Sequence, residues 1–439
     1  MTTLRVETPA DLSRLMGLDF EHSPQQWVAI TAPLEPAVVI AGAGSGKTAL
    51  MAARVVYLVA TGQVRPEQVL GLTFTTKAAA ELRRRIHDAL EHAGLLGTGR
   101  PDATAEPDEA DEVLEPVVAT YHSYAASLLT DHGLRIGHEP ETRVVSDASR
   151  YQLGARVVER FTGEVVHLTD HPATAIQNLL ALDSAMSEHL VGPDDVRRVD
   201  DEARAGFERA RDAEVAGKNR KGHREACEKA INAIDRRREL LELVEGYRRL
   251  KHDLGLMDFS DQIELAARLA LEQPDVGVLE RDRFRVVLLD EYQDTSVAQA
   301  VMLARLFSGA DEGSGLGHPV IAVGDPNQAI YGWRGASVSN ILGFGETFPA
   351  ARGRPPILPL TVNRRSDRRI LEVANRLATP LLEKYGDQVA GLEPKPGAAT
   401  GVVETRVFER HLDELAWLVD AVKAAHDDSA DTAWSDIGV

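Results

Sequence analysis

"AVVIAGAGSGKT" occupies residues 37–48, and its reading decides the fold. Four apolar residues run into a glycine-rich turn, and the stretch behind it, "TALMAARVVYLVA" (48–60), carries apolar residues on a helical period. Strand, turn and helix in that order open a parallel α/β sheet. Gly42, Gly44 and Gly46 let backbone N–H groups close on phosphate oxygens without a Cβ in the way, Lys47 reaches terminal phosphates, and Thr48 offers magnesium a hydroxyl. The strict pattern GxxxxGK[ST] asks for glycine where this chain has Ala41; Ala43 and Ser45 complete the loop. Residues 41–48 are therefore expected to bind a nucleoside triphosphate.

The α/β pattern continues outward from that turn. "VLGLTFT" (69–75) is a short strand and "KAAAELRRRIHDAL" (77–90) an amphipathic helix. From roughly Tyr124 to Met257 strand signals thin out, and segments such as "INAIDRRRELLELVEGYRRLKHDL" (231–254) indicate a helical insert. Its basic run "KNRKGHR" (218–224) reads first as a solvated loop and second as a phosphate-contacting patch. After "MDFSDQ" (257–262) strands return as "FRVVLLDE" (284–291), "HPVIAVGD" (318–325) and "PPILPLTV" (355–362), each ending in polar or charged residues. In an open parallel sheet, ligand groups gather at those carboxyl ends.

"LLDEYQDT" (288–295) places three carboxylates behind a buried strand. Asp290, at the tip, suits a magnesium ion beside the phosphates, and Glu291 suits a base that orients and deprotonates an attacking water. Asp294 lies past the strand end, where capping and catalysis are both open.

Composition bounds the remainder. The chain has 439 residues, 44% of them hydrophobic, enough for two or three domains. Lys and Arg total 49 against 68 Asp and Glu, a formal charge of −19 and the wrong sign for binding nucleic acid by bulk attraction, so phosphate contacts require a local patch. Part of the excess sits in "PDATAEPDEADEVLEP" (101–116), read as a solvated, mobile insertion. Cys227 is the single cysteine, which excludes an intrachain disulfide and a thiolate cluster. With no apolar run of about 20 residues and no signal-peptide pattern in the opening residues, the expected location is cytoplasmic. The last segment, from Gly401, reads as strand, helix, loop and the start of another strand, so a longer protein or an incomplete final domain is expected.

"AGAGSGKT", "LTFTTKAAAELRRRI", "TYHSY", "LLDEYQDT", "VGDPNQAIYGWRGA" and "LTVNRRS", in that order between Ser23 and Ser366, resemble the successive motifs of superfamily 1A DNA helicases, the UvrD/Rep/PcrA group with its RecB-like relatives. "MAARVVYLVATGQVRPEQVLGLTFT" (51–75) is most similar to actinobacterial AdnA and AdnB helicase–nuclease subunits. The resemblance implies a RecA-like motor domain over 1–123 and 258–360, a helical insert over 124–257 and the start of a second motor domain over 361–439.

It also implies roles. Gln26 reads adenine through its amide, Gln328 senses the γ-phosphate, and Arg365 stabilises charge on the transferred phosphate. Arg364 stands where the family carries an aromatic against adenine; a guanidinium plane can also stack. Tyr331, Trp333 and Arg334 form a platform for single-stranded bases, and Thr73, Phe74, Thr75, Thr120, Tyr121 and His122 line the strand's path. The activity implied is ATP- and magnesium-dependent 3′ to 5′ translocation and unwinding of DNA in repair or recombination, on single-stranded and duplex DNA, with a second helicase–nuclease subunit as a further partner. The alternative is a structural subunit that binds nucleotide and DNA without driving unwinding; the intact Lys47, Asp290, Glu291, Gln328 and Arg365 speak against it.

Overall fold

A strand covered by helices on both faces has no solvent side, so its sequence is a continuous apolar run instead of an alternation. The runs above adopt that arrangement in the computed structural model, which describes residues 4–96, 115–218, 220–427 and 432–439. Most of the acidic stretch at 101–116 thus lies outside the described residues. After α1 (Pro9–Leu15) and α2 (Pro24–Thr31), β1 (Ala37–Ala41) leads to α3 (Lys47–Ala60), β2 (Val69–Thr73) to α4 (Thr76–His92), and β3 (Val117–Thr120) to α5 (Tyr121–His132). The insert follows as β4 (Arg143–Val144), α6 (Asp147–Arg160), α7 (Pro172–His189), α8 (Pro193–Ala216), α9 (Lys221–Asp253) and β5 (Leu256–Met257). Next come α10 (Phe259–Glu272), α11 (Pro274–Arg283), β6 (Val286–Leu289), α12 (Val297–Phe307), β7 (Val320–Gly324) and the single turns α13 (Ser339–Leu342) and α14 (Phe344–Thr347). The chain continues through β8 (Ile357–Leu360), β9 (Val362–Asn363), α15 (Arg368–Tyr385), β10 (Glu393–Pro394) and α16 (His411–Asp427).

Six strands form one parallel sheet in the order β3-β2-β6-β7-β1-β8. Val39 of β1 lies opposite Val323 of β7 and Leu358 of β8, and Leu288 of β6 lies opposite Gly71 of β2 and Ile321 of β7. Val39, Ala41, Val286, Leu288, Ile321 and Val323 share one core with residues of α2, α3 and α4. Val38, Ile40, Val287, Leu289, Val320 and Ala322 enter the other, with residues of α5, α10 and α12. The α/β class and the parallel sheet flanked by helices are those read from the sequence.

The insert differs from its sequence reading at its start. Tyr124, Ala125, Leu128 and Leu129 of α5 pack into the sheet's core, while a separate core is built by Leu153 of α6, Leu179 and Met186 of α7, and Leu240 to Tyr247 of α9. Residues 124–132 therefore pack with the sheet, and the independent helical unit begins later. Three of the charges of "KNRKGHR" are met locally: Arg220 pairs with Glu214 at 2.9 Å, Lys221 with Glu225 at 3.7 Å and Arg224 with Glu228 at 3.9 Å. That pairing favours the solvated turn over the phosphate patch.

The tail also departs from expectation. Residues 401–407 form no strand, because a strand needs a ladder partner and none of the described strands runs beside them. The last described residues hold a 3₁₀ turn, Trp434–Asp436, in place of a strand. Among the described residues no helix is long and apolar enough to cross a membrane.

Arg54, fully buried in α3, ties the sheet-flanking helices together. Its Nη1 donates to the carbonyls of Ala29 (3.1 Å), Ile30 (2.8 Å) and Ala32 (2.9 Å), and its Nη2 to that of Pro33 (3.1 Å). The Ala29, Ile30 and Ala32 carbonyls lie at and beyond the end of α2, where intrahelical donors run out, while the Pro33 carbonyl also accepts the Glu35 N–H at 2.9 Å. Burial pulls the guanidinium down to about 10, which leaves it charged at neutral pH. Arg54→Met is expected to lower unfolding free energy by roughly 3 kcal/mol in urea titration; a loss below about 1 kcal/mol would show that those carbonyls find other donors.

Candidate functional site

The strands β1, β7 and β6 are neighbours and parallel, so the three turns behind them meet at one edge of the sheet. Behind β1, Ala41 is still a strand residue, opposite Leu360 and fully buried, so its Cβ has ordinary extended surroundings and glycine is unnecessary. Gly44 and Gly46 differ. Their φ angles are +68° and +88°, and a Cβ would meet Asn363 Nδ2 and Arg365 Cβ at 2.9 Å from Gly44, or Gln26 Nε2 at 3.0 Å from Gly46. The loop of Gly42, Ala43, Gly44, Ser45 and Gly46 delivers Lys47 and Thr48 to the first turn of α3, where amide groups lack intrahelical partners. Ser45 Oγ is buried there with no hydrogen-bond partner.

Behind β6, Lys47 Nζ meets Glu291 Oε2 at 2.8 Å. Glu291 takes up φ 48°, ψ 43°, a left-handed conformation that costs a non-glycine residue about 1–3 kcal/mol and persists only where neighbours impose it. Beside Lys47, Gln293 supplies a second hold, donating from Nε2 to Glu291 Oε2 (2.9 Å) and to Asp294 Oδ2 (3.2 Å). Its Oε1 accepts the backbone N–H of Asp325 behind β7 (3.0 Å), and Asp325 Oδ2 accepts from Gln328 Nε2 (2.6 Å). A continuous chain, Lys47–Glu291–Gln293–Asp325–Gln328, thus crosses all three turns.

Asp290 is buried beside this chain and accepts the Glu291 N–H (3.1 Å). Burial, with the Glu291 charge adding to it, pushes its carboxyl up to about 7 against the pull of Lys47. Asp294 does not cap α12: Ser296 does, its Oγ accepting the Gln299 N–H at 3.2 Å. Asp294 Oδ2 instead accepts from Gln293 Nε2 (3.2 Å), and burial with Glu291 raises its carboxyl to about 6.

The turn after β7 carries the aromatic face. Phe74 and Tyr331 stack at 4.9 Å, Tyr331 and Trp333 lie 6.3 Å apart, and Trp333 is 73% exposed. His122 meets Phe259 edge-on at 5.8 Å. Thr75 and Thr120 cap α4 and α5, their hydroxyls accepting from Ala78 and Ser123 N–H at 3.1 Å. Two sequence assignments are corrected. Thr73 is buried with its hydroxyl on the Thr75 carbonyl (3.2 Å), and Tyr121 is buried with its hydroxyl on the Asp290 carbonyl (3.0 Å). Strand alternation and the inward side of α5 turn these two away from the surface that Phe74 and His122 occupy. The side chain of Arg334 lies outside the described residues; its backbone closes the 3₁₀ turn Gly332–Arg334.

Gln26 is buried and already engaged: its Nε2 donates to the Ser45 carbonyl (3.1 Å), and its Oε1 accepts the Ser23 N–H (3.0 Å). Arg364 and Arg365 are exposed beside the phosphate loop, the Arg364 N–H donating to the Gly44 carbonyl (2.9 Å). Asn363 sets both: its Nδ2 donates to the Ala43 carbonyl (2.6 Å), and its Oδ1 accepts the Arg365 and Ser366 N–H groups at 2.9 and 2.7 Å. Sequence reasoning missed Asn363, Gln293, Asp325 and Phe259. Gln293 and Asn363 did carry a signal, as amide side chains just behind apolar strand runs.

Comparison with known proteins agrees with this geometry. Residues 22–349, more than half of the chain, match the UvrD/REP helicase N-terminal domain. The chain belongs to this family. It is 27% identical over 403 residues to "DNA helicase II" of Escherichia coli K12, covering 92% of this chain and 46% of that protein. It is 28% identical over 433 residues to "ATP-dependent DNA helicase UvrD1" of Mycobacterium tuberculosis H37Rv, covering 98% of this chain and 47% of that protein. The chain spans about half the length of the curated relatives it matches.

Burial pushes the Asp290 carboxyl up to about 7 in the fold, against about 4 in an unfolded chain. Its contribution to stability is therefore full at low pH and lost as pH rises between those values, because ionising it in the buried turn costs free energy. Asp290→Asn should raise the melting temperature of the ligand-free protein at about pH 8 more than at about pH 4. Equal shifts at both pH values would contradict the raised carboxyl.

Proposed function

We propose that this chain belongs to an ATP-dependent DNA helicase that moves 3′ to 5′ along single-stranded DNA and unwinds duplex DNA in repair or recombination. The observation that carries the reading is the hydrogen-bond chain from Lys47 through Glu291, Gln293 and Asp325 to Gln328, three residues before Tyr331. It connects a phosphate loop to an exposed aromatic face. Polarity and pathway rest on family resemblance. In this reading residues 1–123 and 258–360, with α5, form the first motor domain, the remainder of 124–257 is the insert, and 361–439 opens the second motor domain.

The residues present fit magnesium and a triphosphate. Ser45 Oγ is a buried polar atom without a partner, and the Asp290 carboxylate is costly to ionise without a cation. Thr48 and Asp290 would hold the ion, which when bound neutralises charge on the phosphate oxygens. The loop amides from Gly42 to Thr48 bind the phosphates, and Gln26 and Arg364 flank the loop where a base would lie. Lys47, compensating Glu291 in the ligand-free site, exchanges that carboxylate for phosphate oxygens. Glu291, released but still held by Gln293, orients a water and accepts its proton. Arg365 stabilises charge on the transferred group. Gln328 shares Asp325 with this network, so a change at the phosphates reaches the turn holding Tyr331 and Trp333. Those rings, with Phe74, His122 and Phe259, stack on bases without regard to sequence, which suits a chain of net charge −19 that cannot rely on bulk attraction.

In the intact protein, Lys47→Ala and Glu291→Gln should each lower DNA-stimulated ATP hydrolysis by about 100-fold or more in a coupled phosphate-release assay. Normal turnover by both variants would remove the site assignment. Trp333→Ala should weaken binding of a single-stranded oligonucleotide by about 1–3 kcal/mol, with DNA-free hydrolysis unaltered.

A further inference from the structure

Away from the nucleotide site, the most densely charged buried cluster joins the helical insert to the sheet domain. Lys251, near the end of α9 and 3% exposed, directs its ammonium at Asp183 Oδ2 of α7 (2.9 Å), at Asp258 Oδ2 (3.2 Å) and at both oxygens of Asp261 (2.7 Å). Asp258 is the N-cap of α10 and Asp261 completes its capping box. Arg150 of α6 pairs with Asp258 at 3.0 Å, and Arg248 of α9 reaches Asp183 at 2.6 Å and Glu264 of α10 at 3.5 Å. Three insert helices therefore converge on the first two turns of one helix of the sheet domain.

Those carboxylates come within 4.8 Å of one another, the spacing of a cation site, but the ammonium of Lys251 occupies their centre. The cluster is thus a closed ionic joint and not an empty metal cage. Beside it, β4 and β5 pair as a two-stranded parallel sheet at the two ends of the insert, Arg143 opposite Leu256, which fixes the entering and leaving chain together.

The first turn of α10 that this joint grips also carries functional surface. Phe259, between Asp258 and Asp261, is 55% exposed and meets His122. Ser260 Oγ bonds Glu188 at the end of α7 (3.3 Å), and a Cβ on Gly335 would lie 2.7 Å from Glu188 Cβ, directly after the Trp333 turn. Ion pairs that converge from several helices on one buried centre favour one arrangement of the elements they join.

We propose that Lys251 is a positioning residue that rivets the insert to the aromatic face, so that bound single-stranded DNA meets two surfaces fixed relative to each other. This rests on the DNA-binding reading above. The rivet acts through Phe259 and Glu188 and touches neither nucleotide nor DNA itself. A Lys251→Arg variant keeps the charge but cannot present one compact ammonium to three carboxylates, and Asp261→Asn removes the most accessible of the three partners.

The experiment measures both variants in the intact protein: thermal melting, ATP hydrolysis without DNA, and the concentration of a deoxythymidine oligonucleotide that half-maximally stimulates hydrolysis. The expected result is that at least one variant folds, keeps DNA-free turnover and the KM for ATP within about twofold, and needs about tenfold more oligonucleotide. Folded variants with wild-type oligonucleotide requirement, variants whose KM for ATP shifts in parallel, or unfolding of both would each overturn the proposal by leaving the cluster a purely structural role. If the wild-type protein showed no stimulation at all, the DNA-binding reading itself would fall.

Discussion

Parallel pairing of β7 between β1 and β6 is the constraint on which the site depends. It brings Lys47 and Glu291 to 2.8 Å across an intervening helical insert. It also places Asp325 within reach of Gln293, since both lie just past the carboxyl ends of adjacent strands. A shift of one residue in either pairing would exchange the two cores and remove these side chains from the shared edge. The apolar runs that make the sheet are thus the reason the polar turns meet.

Acidic groups outnumber the basic ones that meet them at that edge. Glu291 sits in a strained left-handed conformation, and Asp290 and Asp294 are carboxyls raised by burial and by Glu291. One lysine cannot compensate three acids, which underlies the proposal that a cation and a polyphosphate complete this edge. The Lys251 cluster illustrates the opposite solution: its carboxylates already enclose an ammonium and need no ligand.

Much of this was legible in the sequence because local chemistry sets it. A glycine loop between strand and helix, and acids at a strand tip, require no knowledge of distant contacts. What escaped depends on tertiary direction. Thr73 and Tyr121 sit in stretches that line the aromatic face, yet each turns inward, and nothing in "LTFT" or "TYHSY" reveals which members do so. Resemblance assigns Gln26 to adenine, and only the fold reveals that its amide also bonds Ser45 and Ser23. Gln293, Asn363 and Phe259 act through partners far away in sequence, and residues 401–407 have strand composition without a strand beside them. The start of the insert was misplaced because α5 is as helical as the helices after it, and only packing assigns it to the sheet.

Gln293 alone bonds both Glu291 and Asp325 in the chain traced above, and in the proposed function it transmits between the phosphate-binding turn and the aromatic turn. The direct measurement is the ratio of ATP turnover with and without single-stranded DNA in a Gln293→Ala variant that still binds nucleotide. Transmission through Gln293 predicts a ratio near unity. A ratio equal to wild type would contradict it.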